Sequence, residues 1–87
     1  MINLIKSKIL EVLPDAEVYV MDPNQDGEHF QAIVIDASFS NLSLVKQHQC
    51  VMNALKHEFK EEVHALALKT FSPEKWQESK HLFPLAS

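Results

Sequence analysis

Five histidines, His29, His48, His57, His64 and His81, and one cysteine, Cys50, carry most of the ligand chemistry in these 87 residues. Neutral imidazole is the commonest protein ligand for transition metals. No pair of these histidines has zinc-finger spacing, and one thiol cannot build a cysteine-based zinc site. The pattern therefore argues against a complete tetrahedral site within the chain. It leaves room for a partial set that completes a metal site begun by another molecule. His64 alternates with Leu66 and Leu68 in VHALAL and reads in two ways, as a core-edge ring bonded to a carbonyl or as a ligand. His29 opens an apolar run just past a turn-rich loop, either as a solvated strand-start residue or as a second ligand. His48 reads as a packing residue, His57 as a solvated helix position and His81 as part of a loose tail. Cys50 reads as a small hydrophobe beside a buried stripe.

Other chemistries find little support. The chain has no nucleophile elbow, phosphate-binding loop or HExxH pair, and Asp22 and Asp26 read as ordinary turn formers, so no enzyme is expected. Net charge is −4 and every basic residue is lysine, so the planar fork that best reads phosphates and guanine edges is missing. A nucleic-acid-binding alternative would rest on Lys46, Lys56, Lys60 and Lys69. No apolar run approaches the roughly 20 residues a bilayer requires, so no membrane span is expected. MINLIKSKIL has neither a basic leader nor a cleavage pattern, and the single cysteine suits a reducing compartment; both point to the cytoplasm.

The elements that must position these groups follow from periodicity. Ile2, Ile5, Ile9, Val12 and Leu13 share a helical stripe that Pro14 and Asp15 stop. AEVYVM (16–21) and HFQAIVIDASF (29–39) read as a hairpin around DPNQDG, the second strand covered on at least one face. SNLS offers caps for a long helix whose apolar face is Leu44, His48, Val51, Met52, Leu55 and Phe59, with Gln47 off that face. VHALALKTF (63–71) reads as the third strand. Ser72, Pro73 and Glu74 open a last helix, and the tail 80–87 is expected to be loose. The expected fold is a single α+β domain over 1–87 in the order α-β-β-α-β-α, a three-stranded sheet with helices on one face.

These pieces together resemble the BolA family, in its small BolA/IbaG-like branch. The resemblance runs from about Val18 to Trp76. It is carried by His29-Phe30, Phe39, Ser43, His48, Val51, His64-Ala65-Leu66 and Ser72-Pro73-Glu74-Lys75-Trp76, in that order. It implies a class II KH-like domain that forms heterodimers with monothiol glutaredoxins through a bridging [2Fe–2S] cluster. The glutaredoxin would supply a cysteine thiolate and a bound glutathione thiolate, and this chain would supply His64 and His29. Such ligation is similar to Rieske centres, where imidazoles replace thiolates on one iron. The isolated chain would carry no cofactor, and a homodimer is a further arrangement for the free protein. The loop position that holds a ligand in some members, four residues before Phe30, is Asp26 here. The Arg-His pair of many members reads Gln47-His48. DNA-binding regulation, also described in the family, is the alternative function, and the missing arginine weakens it.

Overall fold

The computed structural model describes residues 2–56 and 66–83. Ile5, Ile9 and Leu13 recur every fourth residue, which sets them on one side of helix α1 (Ile2–Val12) and its first following residue. All three are buried, whereas Ile2 and Val12, also assigned to the stripe, are exposed. The buried stripe is thus narrower than the sequence suggests. The chain stops at Pro14 and enters β1 (Glu17–Met21), which pairs antiparallel with β2 (Phe30–Ile35).

The strand expected over 29–39 ends at Ile35. Asp36 takes an extended conformation, and its carboxylate accepts from the Ser38 backbone N–H and hydroxyl, capping a short 3-10 helix at Ala37–Asn41. A side-chain acceptor two residues before an open N–H offers the backbone an alternative to the sheet ladder, and here it wins. Ser43 then caps α2 (Leu44–Leu55), its hydroxyl accepting from Lys46 N–H.

Val51 and Leu55 are the buried residues of α2, and Gln47, half-buried one turn earlier, is in line with them at a spacing of four. Leu44, assigned to the apolar stripe, sits at the first helical position with 61% of its surface exposed. Gln47 occupies the inward place instead. Its Nε2 donates to the carbonyls of Phe39 and Leu42, at 3.1 and 3.0 Å, and its Oε1 accepts from the Thr70 hydroxyl at 2.7 Å. One amide thereby ties the 3-10 helix to α2 and to the sheet. The predicted continuation to Phe59 lies outside the described residues.

β3 (Leu66–Phe71) lies parallel to β2, in the register Phe30↔Leu66 through Ile35↔Phe71, so β2 is the central strand of a mixed sheet. The predicted residues 63–65 of this strand are outside the described set. Along β2, Phe30 and Val34 point to one face, where α1 and α2 close a core with Val18, Phe39, Val51 and Leu55. Ile33 and Ile35 point to the other. The expected stacking of helices on one face holds for α1 and α2. Helix α3 (Pro73–Ser79), capped by Ser72, packs Trp76 on the opposite face, against Ile33, Ile35, Tyr19 and Phe71. The tail is also firmer than expected at its start. Lys80–Leu82 form a 3-10 turn, and Phe83 stacks on Trp76 with ring centres 5.8 Å apart, because Trp76 and Phe71 on the face opposite α1 and α2 offer an aromatic seat.

Candidate metal centre at the hairpin loop

Between β1 and β2 the chain reverses on hydrogen bonds made almost entirely by two aspartates. Gln25 N–H donates to the Asp22 carbonyl at 3.0 Å, closing a turn with Pro23 at its second position, where its fixed φ fits. The Asp22 carboxylate accepts from the N–H groups of Asp26 and Gly27, at 3.3 and 2.9 Å. Gly27 sits at φ 68°, a left-handed conformation that glycine adopts without a Cβ penalty. The Asp26 carboxylate then faces forward. One oxygen accepts from the N–H groups of Glu28 and His29, at 2.9 and 3.0 Å, and the other meets His29 Nδ1 at 2.9 Å.

The loop thus delivers one imidazole in a fixed setting at the start of β2. The His29 side chain is 61% exposed, and the carboxylate at Nδ1 selects the tautomer whose proton is on that nitrogen. Nε2 of the neutral ring then carries the lone pair. This carboxylate–histidine arrangement is the one that orients imidazoles in metal sites. The same contact raises the His29 pKa, chiefly through the hydrogen bond to Asp26. Reciprocally, the hydrogen bonds from the His29 ring and from Glu28 and His29 N–H hold the Asp26 carboxyl well below the usual carboxylate range. Asp26, Glu28 and His29 each have a ligand atom within 4.8 Å of the others, the one such group among the described residues. Asp26 is therefore more than a turn former: it holds the ring expected as a ligand.

His64, the other expected ligand, lies outside the described residues, as do His57 and Lys60. What is described is the start of β3 two residues later in the chain, where Leu66 is the register partner of Phe30, the residue after His29. His48 is half-buried on α2, His81 is exposed in the 3-10 turn, and Cys50 is half-buried against the core. Lys46 and Lys56 are exposed at the two ends of α2. Lys69 is the partner of Ile33 and so points to the sheet face that α2 does not cover. These three lysines do not share one side of the sheet. The residue that the sequence reading missed is Gln47, whose polar type hides its inward position. No helix among the described residues is long and apolar enough to cross a membrane.

Comparison with known proteins gives a consistent picture. A family model described as BolA-like protein matches residues 3–75. The chain is 33% identical over 69 residues to a Haemophilus influenzae protein named DNA-binding transcriptional regulator BolA, covering 78% of this chain and 67% of that one. It is 32% identical over 81 residues to the acid stress protein IbaG of Escherichia coli, covering 92% and 93%. Among solved structures, a BolA protein homologue from Coxiella burnetii superimposes with a TM-score of 0.72 at 31% identity, over 88% of this chain and 96% of that one.

Proposed function

The chain belongs to the BolA-like family, and on that premise we propose that it is a cytoplasmic iron–sulfur trafficking adaptor, not an enzyme. It pairs with a monothiol glutaredoxin through a shared [2Fe–2S] cluster that passes through it as cargo. The observation that carries this reading is the Asp26–His29 pair, an exposed imidazole whose Nδ1 is held by a carboxylate. A ring oriented in this way can donate Nε2 to an iron that a partner brings. His64 is the second ligand on this reading. It precedes Leu66 by two residues, and Leu66 and Phe30 are opposite one another where β2 and β3 begin. Imidazole ligation competes with protons near neutrality, which suits a cluster that must be released.

The test mixes the chain with a monothiol glutaredoxin, iron, sulfide and glutathione and follows visible absorption and circular dichroism. His64→Ala and His29→Ala should each change the spectrum of the mixed complex, while His81→Ala should not. A His64→Ala spectrum identical to that of the unsubstituted chain refutes the ligand assignment. The second reading, a DNA-binding regulator, is favoured by the name of the Haemophilus relative. A salt titration separates the two. Affinity no better than about 10⁻⁴–10⁻⁶ M at physiological salt, without sequence preference, means electrostatic contact alone.

A further inference from the structure

The sheet order β1-β2-β3 leaves β1 with a neighbour on one side only. Which of its backbone groups face outward follows from one hydrogen bond. Asp36 N–H donates to the Phe71 carbonyl at 3.1 Å, so the Asp36 backbone turns toward β3. Backbone groups alternate in direction along a strand, so Ile35, Ile33 and Gln31 turn theirs toward β1, where Glu17, Tyr19 and Met21 are their partners. Val18 and Val20 are left with N–H and C=O pointing away from the sheet. None of these four groups has a hydrogen-bond partner among the described residues. Proteins blunt such an edge with lysine, proline or a bulge. β1 reads EVYVM, with neither lysine nor proline, and its register with β2 runs unbroken from Glu17 to Met21. The other outer strand, β3, does carry a lysine, Lys69.

We propose that β1 pairs antiparallel with β1 of a second copy of this chain, about a two-fold axis at Tyr19, joining two sheets into one of six strands. In this register Val18 of each copy exchanges both hydrogen bonds with Val20 of the other, so every outward group of the strand is used. Sliding by two residues either way brings Ala16 or Asp22, outside the strand, into the ladder, and the Ala16 N–H is already given to the Leu13 carbonyl. The side chains agree with the backbone. On the Trp76 face Tyr19 stands opposite its own copy and Glu17 opposite Met21, while on the other face Asp22 meets Ala16. No carboxylate of the strand or its flanks stands opposite another, although the chain's net charge is −4. Tyr19 is half-buried with its ring centre 6.0 Å from that of Trp76, so the paired tyrosines carry one aromatic cluster across to the next. A foreign strand would find the same backbone groups, but the register and charge match come from the strand's own symmetry. One edge of about 17 Å offers less than the roughly 800 Å² per partner of a standard interface, so the dimer is weak, half formed at about 0.1–1 mM.

Sedimentation equilibrium of the full chain tests this, in reducing buffer that keeps Cys50 from linking copies. Between about 10 μM and 1 mM the unsubstituted chain should pass from monomer toward dimer. Val20→Pro removes one outward N–H and leaves the β1–β2 ladder in place, because an edge strand accepts proline on its solvent side. It should weaken the dimer at least about tenfold. Tyr19→Glu sets two carboxylates face to face beside those of Glu17 and should weaken it by a similar factor. Mixing Tyr19→Glu with Tyr19→Lys in equal parts should restore association as a mixed pair. Circular dichroism confirms that each variant is native before it is compared. His29→Ala should dimerise as the unsubstituted chain does, so this proposal and the cluster reading fail separately. A chain still monomeric at about 1 mM overturns the proposal and leaves the edge to a strand of another protein. So does a dimer that Val20→Pro or Tyr19→Glu leaves as strong as before, or a mixture that shows no rescue.

Discussion

Gln47→Ala deletes an amide that reaches three partners in two other parts of the fold, and their burial sets the cost. The Leu42 carbonyl is in an exposed residue, and water can replace the lost donor there at little net expense. The Phe39 carbonyl still accepts from Leu42 N–H at 3.2 Å, so it also keeps a partner. Thr70 is different. It is 6% exposed, and its hydroxyl loses its acceptor, a loss of about 1–3 kcal/mol. The expected destabilisation is therefore about 2 kcal/mol, which lowers Tm by roughly 8–16 °C in a domain of this size. Thr70→Val removes the hydroxyl with little change of shape and strands only the half-buried Gln47 Oε1, for about 1 kcal/mol. In the double variant no hydroxyl is left stranded, so the two costs should fall short of additive by about 1 kcal/mol. Urea denaturation followed by far-ultraviolet circular dichroism measures all four corners of this cycle. If Gln47→Ala lies within about 0.5 kcal/mol of the unsubstituted chain, or the pair is additive, the amide is not the bracket described above.

Asp26→Asn should lower the His29 pKa, read from the ring proton shift in an NMR pH titration. Removing the carboxylate takes away the hydrogen bond and the charge that favour the imidazolium. The stability linked to His29 is fully present below its ordinary value of 6.5 and fades as pH rises through the raised folded value. That linked to Asp26 is present above 3.8 and fades as acid titrates the depressed carboxyl. An unchanged titration in the variant would separate the two side chains in solution. Ser72→Ala removes the hydroxyl that accepts from Lys75 N–H at 3.3 Å at the mouth of α3, and thermal unfolding should show a loss of about 1 kcal/mol, with no loss if the cap is idle.

Much of the local structure is legible in the residues because local signals decide it. Pro14 ends α1, Ser72-Pro73-Glu74 opens α3, and the DPNQDG stretch forms the hairpin loop. The 3-10 helix at 37–41 was also signalled, by Asp36 two residues before Ser38, but the apolar run leading into it hides the cap. Two features needed the tertiary arrangement. The apolar series Ala32, Ile33, Val34 and Ile35 suits a strand covered on both faces, yet only the packing of Trp76 tells which element supplies the second cover. Gln47 has the residue type of a solvated position, and its burial follows from carbonyls and a hydroxyl contributed by distant parts of the chain. At the site, His29 was legible as an imidazole past a turn, whereas the carboxylate that sets its tautomer was read only as turn chemistry.

The mixed sheet has a consequence for the order in which the molecule assembles. β1 and β2 are joined by a short loop and can meet on the microsecond scale of hairpins. β3 can reach β2 only after a connection of roughly 30 residues has closed, because parallel neighbours demand a crossover. Chain-closure entropy therefore falls more heavily on the second pairing than on the first. The central strand is half-zipped early and waits for its other edge. Until β3 arrives, the edge that will pair with Leu66 is an open template for foreign strands.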